Sequence, residues 1–263
     1  MPIGEFIKDR WMVKAIKNIC QERGIDFVSY SDDWLLELSK DTQTARILGY
    51  KFSLNNGVAA QSAEDKVATS MILAAHQIPA LTHALVRTKD MYYDKWLKKD
   101  WQQVVVKPLV GTSGHGVRLF KKTADASEWI KSQTIDAWAV SPFIKIKREV
   151  RLIVLDGIVL LAYEKIPVVI NGLSMFNLGL GATPKNIQAP DDMKQLAIGA
   201  QHVMGLRLAA IDVIEQEDGA IMVLEINDGI MMEHYARASK ENQDKAYGVY
   251  TAIVVKVLQE RSV

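Results

Sequence analysis

Cysteine is almost missing from this sequence, since Cys20 is the only one among 263 residues. A single cysteine cannot form an internal disulfide, which excludes disulfide-stabilised secreted scaffolds and favours a reduced, cytoplasmic setting. Cys20 lies in a stretch with the period of an amphipathic helix. We therefore interpret it as a small apolar helix residue rather than a nucleophile.

Long apolar runs and an excess of one charge are also missing. No run is long enough to span a bilayer, and the N-terminus lacks the apolar region of a secretory signal. The net charge is +1, from 32 basic and 31 acidic residues. Nothing in the charge therefore favours a nucleic acid or a membrane as partner. Apolar residues make up 49% of the chain, which is enough for a substantial core in about two domains.

The patterns that are present alternate between helix and strand. Helices are predicted over residues 11–23, 62–78, 91–100, 124–133, 191–206 and 240–261, with Gly24 closing the first and Ser62 capping the second. Strands are predicted over 25–30, 44–54, 137–144 and both ends of 104–120. Further strand pairs flank Asp156-Gly157 and Asp218-Gly219, which are hairpin signals. Hairpins indicate antiparallel sheets, so we predict an α+β fold rather than a doubly wound parallel sheet.

Three glycines, Gly111, Gly114 and Gly116, lie between the two strands of residues 104–120. Rossmann and P-loop motifs lead from a strand into a helix, whereas here a second strand follows. A strand–loop–strand can act as a flap, because glycine lets backbone N–H groups approach phosphate oxygens closely. Lys107, just before the loop, would add a positive charge. A flexible hairpin with an exposed lysine accounts for the glycine spacing equally well.

Two acidic residues are predicted to face each other near the second hairpin. If Asp218 and Gly219 form a two-residue loop, Asp212 lies opposite Glu225, and Asn227 projects from the same face. Opposed like charges are destabilising, and a bound cation would reverse that effect. We therefore expect removal of either carboxylate to leave the metal-free protein equally or more stable.

Three oxygen ligands without histidine or cysteine suit magnesium, with manganese as the alternative, rather than zinc. A slipped strand register would instead turn one of the carboxylates to solvent. The flanking apolar runs AAI and MVL fix the register and favour the metal site.

Five ordered motifs resemble the ATP-grasp superfamily: DKVATSMILAAHQIPA, VVVKPLVGTSGHGV, SPFI, REVRLIVLDGIVLLAYEK and AAIDVIEQEDGAIMVLEIN. They are most similar to RimK-type carboxylate–amine ligases and to the ligase modules of cyanophycin synthetase and bifunctional glutathione synthetase. The resemblance implies an ATP-grasp fold, in which two antiparallel α+β subdomains clamp ATP. We expect a short pre-ATP-grasp region over 1–62, a lid subdomain with the glycine flap over 63–144, and a core subdomain with the metal site over 145–263.

The same resemblance implies roles for individual residues. Nucleotide-binding roles fall on Lys66, Lys107, Gly111, Thr112, Ser113, Gly114, Gly116, Pro142, Phe143, Ile144, Glu149 and Asn177. The two lysines resemble phosphate-binding groups and Glu149 a ribose-binding acid. In the SPFI hinge, the Pro142 carbonyl would accept from adenine while the Phe143 and Ile144 N–H groups would donate. Catalytic roles near the transferred phosphate fall on Arg151 and Lys165, and the metal ligands are Asp212, Glu225 and Asn227.

The implied activity is ATP-dependent amide bond formation through an acyl phosphate, with ADP and phosphate released. Its cofactors would be ATP and magnesium, and its substrates a small carboxylate and an amine, among them amino acids or a peptide. A homo-oligomer is compatible with this reading. Two alternatives are kept: a phosphotransferase, and a nucleotide-binding module without catalysis. The module is suggested by Leu180, which stands where the family commonly has arginine, and by a short N-terminal part.

Overall fold

The computed structural model describes residues 7–88, 101–111, 116–170 and 173–259. Its helices are α1 (Trp11–Arg23), α2 (Gly57–Glu64), α3 (Lys66–Ala75), α4 (Thr123–Lys131), α5 (Asp191–Val203), α6 (Glu233–Arg237) and α7 (Lys240–Gln259). The helix predicted over residues 91–100 lies outside the described residues, as do Thr112, Ser113 and Gly114 of the predicted flap. No helix within the described ranges is long and apolar enough to cross a membrane.

The strands form four antiparallel sheets. In chain order they are β1 (Asp26–Tyr30), β2 (Leu35–Lys40), β3 (Gln43–Leu48), β4 (Lys51–Phe52), β5 (Ala84–Arg87), β6 (Val104–Pro108), β7 (Arg118–Phe120), β8 (Ala137–Pro142), β9 (Ile146–Leu155), β10 (Ile158–Ile166), β11 (Val168–Ile170), β12 (Leu173–Met175), β13 (Thr183–Asn186), β14 (Leu208–Gln216) and β15 (Ile221–Asn227). The central sheet has the order β13-β10-β9-β14-β15, and the lid sheet the order β5-β8-β6-β7. Strands β1 to β4 form an N-terminal sheet, and β11 pairs with β12. Because all these strand pairs are antiparallel and helices accompany them, the predicted α+β class is confirmed.

The central sheet is covered differently on its two faces. One face, the helical face, packs Leu152, Ile211 and Val213 against α2, α3 and α5 in one buried cluster. On the opposite face, Ile153 and Leu208 pack in a second cluster with α1, the N-terminal sheet, α6 and α7. Side chains alternate between the two faces along a strand. The apolar residues therefore fix which face each polar neighbour occupies.

The lid sheet has a separate core. Its buried residues include Val104, Val106 and Trp138 from the strands, together with Ile130 from α4. Helix α3, by contrast, packs through Leu73 into the cluster on the helical face of the central sheet. The N-terminal region also shares its core with the C-terminal half. The division at residues 62 and 144 therefore remains a prediction.

Several predicted elements have different boundaries in the structure. The strand predicted over 44–54 is two strands, β3 and β4, because the chain turns at Gly49 with φ 61°. A side chain at Gly49 would lie 2.9 Å from Trp34, so this close turn requires glycine. Strand β2 was missing from the prediction. Helix α1 does end at Gly24 in the left-handed conformation, and Cys20 is buried in it, as predicted.

The predicted helix cap at Ser62 is wrong. Residues 57–75 form two helices, and Asp65 caps the second by accepting hydrogen bonds from Val67 and Ala68 N–H at 2.9 and 2.8 Å. Asn56 caps the first through Ala59 N–H at 2.8 Å. Both side chains satisfy N–H groups that have no partner within the helix. As a result Lys66 stands in the first turn of α3.

Candidate active site

The β14–β15 hairpin places Asp212 directly opposite Glu225, as predicted. The predicted two-residue loop is nevertheless wrong. Gln216 N–H donates to Ala220 at 2.9 Å, so three residues, 217–219, form the loop. The pairing shifts by one residue between Asp212 and Val213, where Leu224 is the extra residue of a β-bulge. The longer loop and the bulge offset each other, which restores the predicted pairing at Asp212.

The bulge also decides which face Glu225 occupies. Val223 and Ile226 both enter the helical-face cluster although they are three residues apart. Strict alternation would place Glu225 on the same face as Val223. With the extra residue inserted, Glu225 and Asn227 share the opposite face with Asp212. We call the face of the central sheet that carries these three side chains the site face.

The first group of charges on the site face is a closed cluster of Arg151, Asp212, Lys165 and Glu149. Arg151 donates twice to Asp212, from Nε at 2.7 Å and from Nη2 at 2.6 Å. Lys165 Nζ lies 2.9 Å from Asp212 Oδ2 and 2.5 Å from Glu149 Oε1. The register explains the contacts, because Arg151 is the partner of Asp212 on β9 and Lys165 is the partner of Glu149 on β10. Two cations and two carboxylates thus neutralise one another.

Burial and pairing act in opposite directions on these charges. Burial raises the pKa of Asp212, but the charges of Arg151 and Lys165 outweigh it and hold the pKa below its usual value. Burial also raises the pKa of Glu149, and there Lys165 offsets the effect only in part. The expected mutual repulsion of Asp212 and Glu225 is therefore compensated by protein cations. Contrary to the expectation from the sequence, these ion pairs lead us to expect that loss of Asp212 destabilises the metal-free protein.

The second group is an open cluster of Lys66, Lys107, Glu225 and Asn227. Lys66 Nζ donates to the Gly111 carbonyl at 3.2 Å and lies 3.8 Å from Glu225 Oε1. Among the described residues Lys107 has no ion pair within 4 Å. Burial lowers its pKa, Glu225 raises it and Lys66 lowers it again, so the three groups lie within electrostatic range. The two lysines predicted to bind phosphates therefore lie near the same carboxylate.

The side chains predicted to bind magnesium differ in how far their polar atoms are already occupied by other partners. Both carboxylate oxygens of Asp212 are engaged, whereas the one ion-pair partner of Glu225 among the described residues is the distant Lys66. The side-chain nitrogen of Asn227 is buried without a hydrogen-bond partner among the described residues. A half-turn of this amide brings its oxygen to the same unsatisfied position, which suits a hard cation. Within the described ranges no group of three His, Cys, Asp or Glu side chains could hold a metal, and Asp212, Glu225 and Asn227 remain the predicted ligands.

The sequence prediction missed His83. Its side chain is 7% exposed, and neither ring nitrogen meets hydrogen-bond geometry with any described residue. Burial lowers its pKa to about 3, with Lys107 and Lys66 adding to the effect and the nearby Leu81 carbonyl opposing it. Leu81 and His83 are both buried, and residues two apart in an extended segment lie on the same face. This spacing was the one signal in the sequence that His83 points inward.

The predicted flap and hinge are only partly described. Gly116 has φ 75°, a left-handed conformation that favours glycine at the end of the loop. In the hinge, Pro142 ends β8, and the N–H of Phe143 already donates to the Gln103 carbonyl at 2.9 Å. This leaves Ile144 as the N–H donor for the predicted contact with adenine.

Two other predicted residues lie in different surroundings from those expected. Asn177 accepts from Gly179 N–H at 2.7 Å and caps the short 3-10 helix Leu178–Leu180. No hydrogen bond or ion pair of the described residues connects it with either charge cluster. The ribose-binding role predicted for Glu149 does not fit its placement, because its carboxylate is buried against Lys165.

Solved structures of similar shape include two ligases and a glutathione synthetase. D-alanine–D-alanine ligase from Bacillus anthracis matches with a TM-score of 0.60 and 16% identity over 78% of this chain and 69% of that chain. A bifunctional glutathione synthetase from Pasteurella multocida matches with a TM-score of 0.59 and 15% identity, over 93% of this chain and 44% of that one. The ATP-grasp ligase PsnB, bound to its minimal precursor, magnesium and ADP, matches with a TM-score of 0.58 and 17% identity, over 79% of this chain and 62% of that one. At these identities the likeness shows the fold alone.

The model of the RimK-like ATP-grasp domain matches residues 63–248. The chain therefore belongs to the RimK-like ATP-grasp family, and the predicted ATP-grasp fold is confirmed.

Curated relatives are named as ligases of amino acids. The tetrahydromethanopterin:alpha-L-glutamate ligase of Methanocaldococcus jannaschii is 27% identical over 183 residues, which are 63% of this chain and 58% of that protein. The alpha-aminoadipate–LysW ligase LysX of Saccharolobus solfataricus is 23% identical over 84% of this chain and 86% of that protein. The chain spans 58%, 47% and 40% of the length of the first three relatives.

Proposed function

We propose that this chain catalyses ATP-dependent formation of an amide bond between a carboxylate and an amine. The observation that carries the proposal is the open cluster, where two lysines converge on one carboxylate beside an unsatisfied amide. Lys66 and Lys107 give this cluster an excess positive charge over Glu225, which suits the phosphates of a nucleotide. The closed cluster next to it fixes Arg151 and Lys165 at the same end of the sheet.

The proposed reaction has two steps. In the first, an oxygen of the substrate carboxylate attacks the γ-phosphorus of ATP, the bond to the bridging oxygen breaks, and ADP leaves. In the second, the amine attacks the acyl carbon and loses a proton, while phosphate leaves with one oxygen of the original carboxylate. Both reactants of the first step are anions. The protein must therefore position them and offset their charge.

The chain's own residues supply that positioning. Lys66 and Lys107 would bind the phosphate oxygens, and their ammonium groups would offset the charge that develops on the leaving ADP. Arg151, held by two hydrogen bonds to Asp212, presents a fixed guanidinium at the closed cluster. Magnesium, when bound through Glu225, Asn227 and Asp212, would supply charge neutralisation for the same phosphates. The mechanism needs no side-chain nucleophile.

The names of the relatives suggest where to begin with substrates. Several are alpha-L-glutamate ligases, so we propose an acidic amino acid, glutamate first, as the amine. The carboxylate partner would be a small molecule or the end of a peptide. A cytoplasmic setting and independence from nucleic acid remain predictions from composition. The subdomain division at residues 62 and 144 likewise remains a proposal.

The decisive experiment is an ADP-release screen over pairs of carboxylates and amino acids, followed by isotope transfer. We expect ADP release only when both an acid and an amine are present. Oxygen-18 placed in the substrate carboxylate should appear in the released phosphate. A stable phosphorylated product without amine would favour a phosphotransferase, and AMP would exclude the acyl-phosphate route. Tight ATP binding without turnover for any pair would favour a nucleotide-binding module.

A further inference from the structure

His83 has a buried ring that lacks partners. Both ring nitrogens are inaccessible to solvent, and no described residue forms a hydrogen bond with either of them. Buried polar groups in folded proteins are nearly always hydrogen-bonded. The carbonyl of Leu81 lies near the ring but outside hydrogen-bond geometry. The part of the chain that the structure describes therefore leaves this imidazole without a hydrogen-bond partner.

The chain before His83 is tied to the strand that carries Glu225. Ala80 forms a parallel bridge with Val223, and Leu81 N–H donates to the Val223 carbonyl at 2.9 Å. In return, Val223 N–H donates to the Pro79 carbonyl at 2.9 Å. The bridge is isolated, and His83 follows three residues after Ala80. Its position is therefore set by the backbone and does not depend on a side-chain contact.

His83 lines the same pocket as Lys66 and Glu225 of the open cluster, together with Ser70. Lys107 is not among the lining residues, but it lies within electrostatic range of the imidazole and has no ion pair among the described residues. One ammonium group and one carboxylate thus line the pocket, and the second ammonium acts on it from nearby. An oxyanion with several lone pairs would match the excess positive charge and complete the imidazole.

The neutral ring is the form that suits this position. Burial and the two lysines disfavour a third positive charge there. A neutral imidazole keeps one N–H donor and one acceptor nitrogen. It can therefore donate to a phosphate oxygen without adding repulsion between itself and the lysines. The lysines supply charge, whereas the imidazole supplies a directional hydrogen bond held in place by the backbone.

We propose that His83 binds the nucleotide by donating a ring N–H to a phosphate oxygen between Lys66 and Lys107. The inference rests on the proposed function, because it requires that ATP occupies the open cluster. It adds His83 to the residues that contact the phosphates. It also gives His83 a role in distinguishing phosphorylated from unphosphorylated nucleosides. The ligand class is a nucleoside di- or triphosphate.

The test compares His83→Phe with His83→Gln, and uses His202→Phe on the exposed surface of α5 as the matched control. Titration calorimetry with ATP, ADP and adenosine separates phosphate contacts from base contacts. We expect His83→Phe to bind ATP and ADP at least tenfold more weakly and adenosine unchanged. His83→Gln keeps an N–H donor and should recover affinity to within about threefold of the wild type. The control should bind all three ligands as the wild type does.

Stability and spectroscopy exclude a merely structural role. The ring makes no hydrogen bond within the described protein, so His83→Phe should leave the melting temperature without nucleotide unchanged or higher. In nitrogen-15-labelled protein, the ring N–H proton of His83 should shift downfield when ADP is added and stay in place with adenosine.

Each contrary outcome has a distinct meaning. Unchanged ATP affinity in both His83 variants would overturn the inference, and so would an equal loss for ATP and adenosine. A lower melting temperature with normal ATP affinity would show that His83 only supports the fold. If the wild-type protein bound no nucleotide, the proposed function itself would fail, and the inference with it.

Discussion

The two charge clusters on the site face differ in how far the protein completes them. In the closed cluster, Arg151, Lys165, Asp212 and Glu149 satisfy one another at 2.5–2.9 Å. In the open cluster, the nearest ion pair is 3.8 Å long, and among the described residues the nitrogen of Asn227 and the ring of the neighbouring His83 lack hydrogen-bond partners. The difference separates two tasks. The closed cluster maintains geometry, and the open cluster keeps binding capacity for a ligand.

The largest expected effect is the loss of stability when the closed cluster is broken. Asp212→Asn would leave Arg151 and Lys165 without their shared buried carboxylate, so we expect the free energy of unfolding to fall by about 3 kcal/mol or more. The matched control is Asp156→Asn, because Asp156 also pairs with an arginine and a lysine but is partly exposed. There we expect a loss below about 1 kcal/mol. Urea unfolding of both variants measures the difference, and equal losses would remove the distinction between buried and surface networks.

The comparison of the wild type with Asp212→Asn also predicts how their difference in stability depends on pH. The folded-state pKa of Asp212 lies below its usual value of 3.8. The carboxylate's contribution is therefore fully present above pH 3.8 and is lost as the pH falls through the lower, folded-state pKa. The stability gap between wild type and Asp212→Asn should be constant at neutral pH and should narrow below about pH 4. A gap that stays constant down to pH 2 would show that the charge of Asp212 is not the source of the stability.

A smaller effect of opposite sign is expected in the open cluster. Lys107→Met removes a half-buried ammonium that has no ion pair among the described residues, so the metal-free protein should gain about 1 kcal/mol of stability. The same change should weaken ATP binding at least tenfold, which is about 1.4 kcal/mol. Lys145→Met, at a lysine that is largely exposed, is the control and should change neither value. If Lys107→Met lost stability, the lysine would belong with the closed cluster.

The smallest expected change in stability is that of Glu225→Gln. Its carboxylate is partly exposed, and the ion pair with Lys66 is long, so the free energy of unfolding should change by less than about 0.5 kcal/mol. Magnesium-dependent stabilisation by ATP should nevertheless be lost. Thermal shifts with ATP, with and without magnesium, measure this effect. A magnesium shift equal to that of the wild type would remove Glu225 from the metal ligands.

The sequence predicted the pairing of Asp212 with Glu225 through an incomplete argument. The residues on both sides identify a hairpin, but the extra loop residue and the bulge at Leu224 cancel in the count. A bulge depends on how both strands pack against their neighbours, so the composition of one strand does not reveal it. The phosphate-binding roles of Lys66 and Lys107 in the open cluster could be predicted from the resemblance to the ATP-grasp superfamily. The closed cluster could not, because its contacts depend on the order of β10, β9 and β14.

The sequence prediction missed several short elements and helix ends for a related reason. The ring of Trp34 packs against the turn at Gly49 that separates β3 from β4, and Trp34 lies outside the segment 44–54 that was predicted as one strand. Ser62 and Asp65 are both good caps by type, and only the helix ends show that Asp65 acts as one. In the sequence, nothing distinguishes His83 from an ordinary surface or core histidine. Its lack of partners becomes visible only in three dimensions.

The shared core of the two chain ends has a consequence for synthesis on the ribosome. Leu36, Leu38 and Ile47 of the N-terminal sheet are buried with Ile253 and Val254 of α7, and the carboxylate of Glu233 accepts from Trp11 and Met12 N–H groups at the start of α1. These partners are translated long after the N-terminal sheet. The sheet must therefore wait, with its apolar side uncovered, until α7 has emerged. The lid sheet, whose core lies within residues 86–140, can fold while synthesis continues.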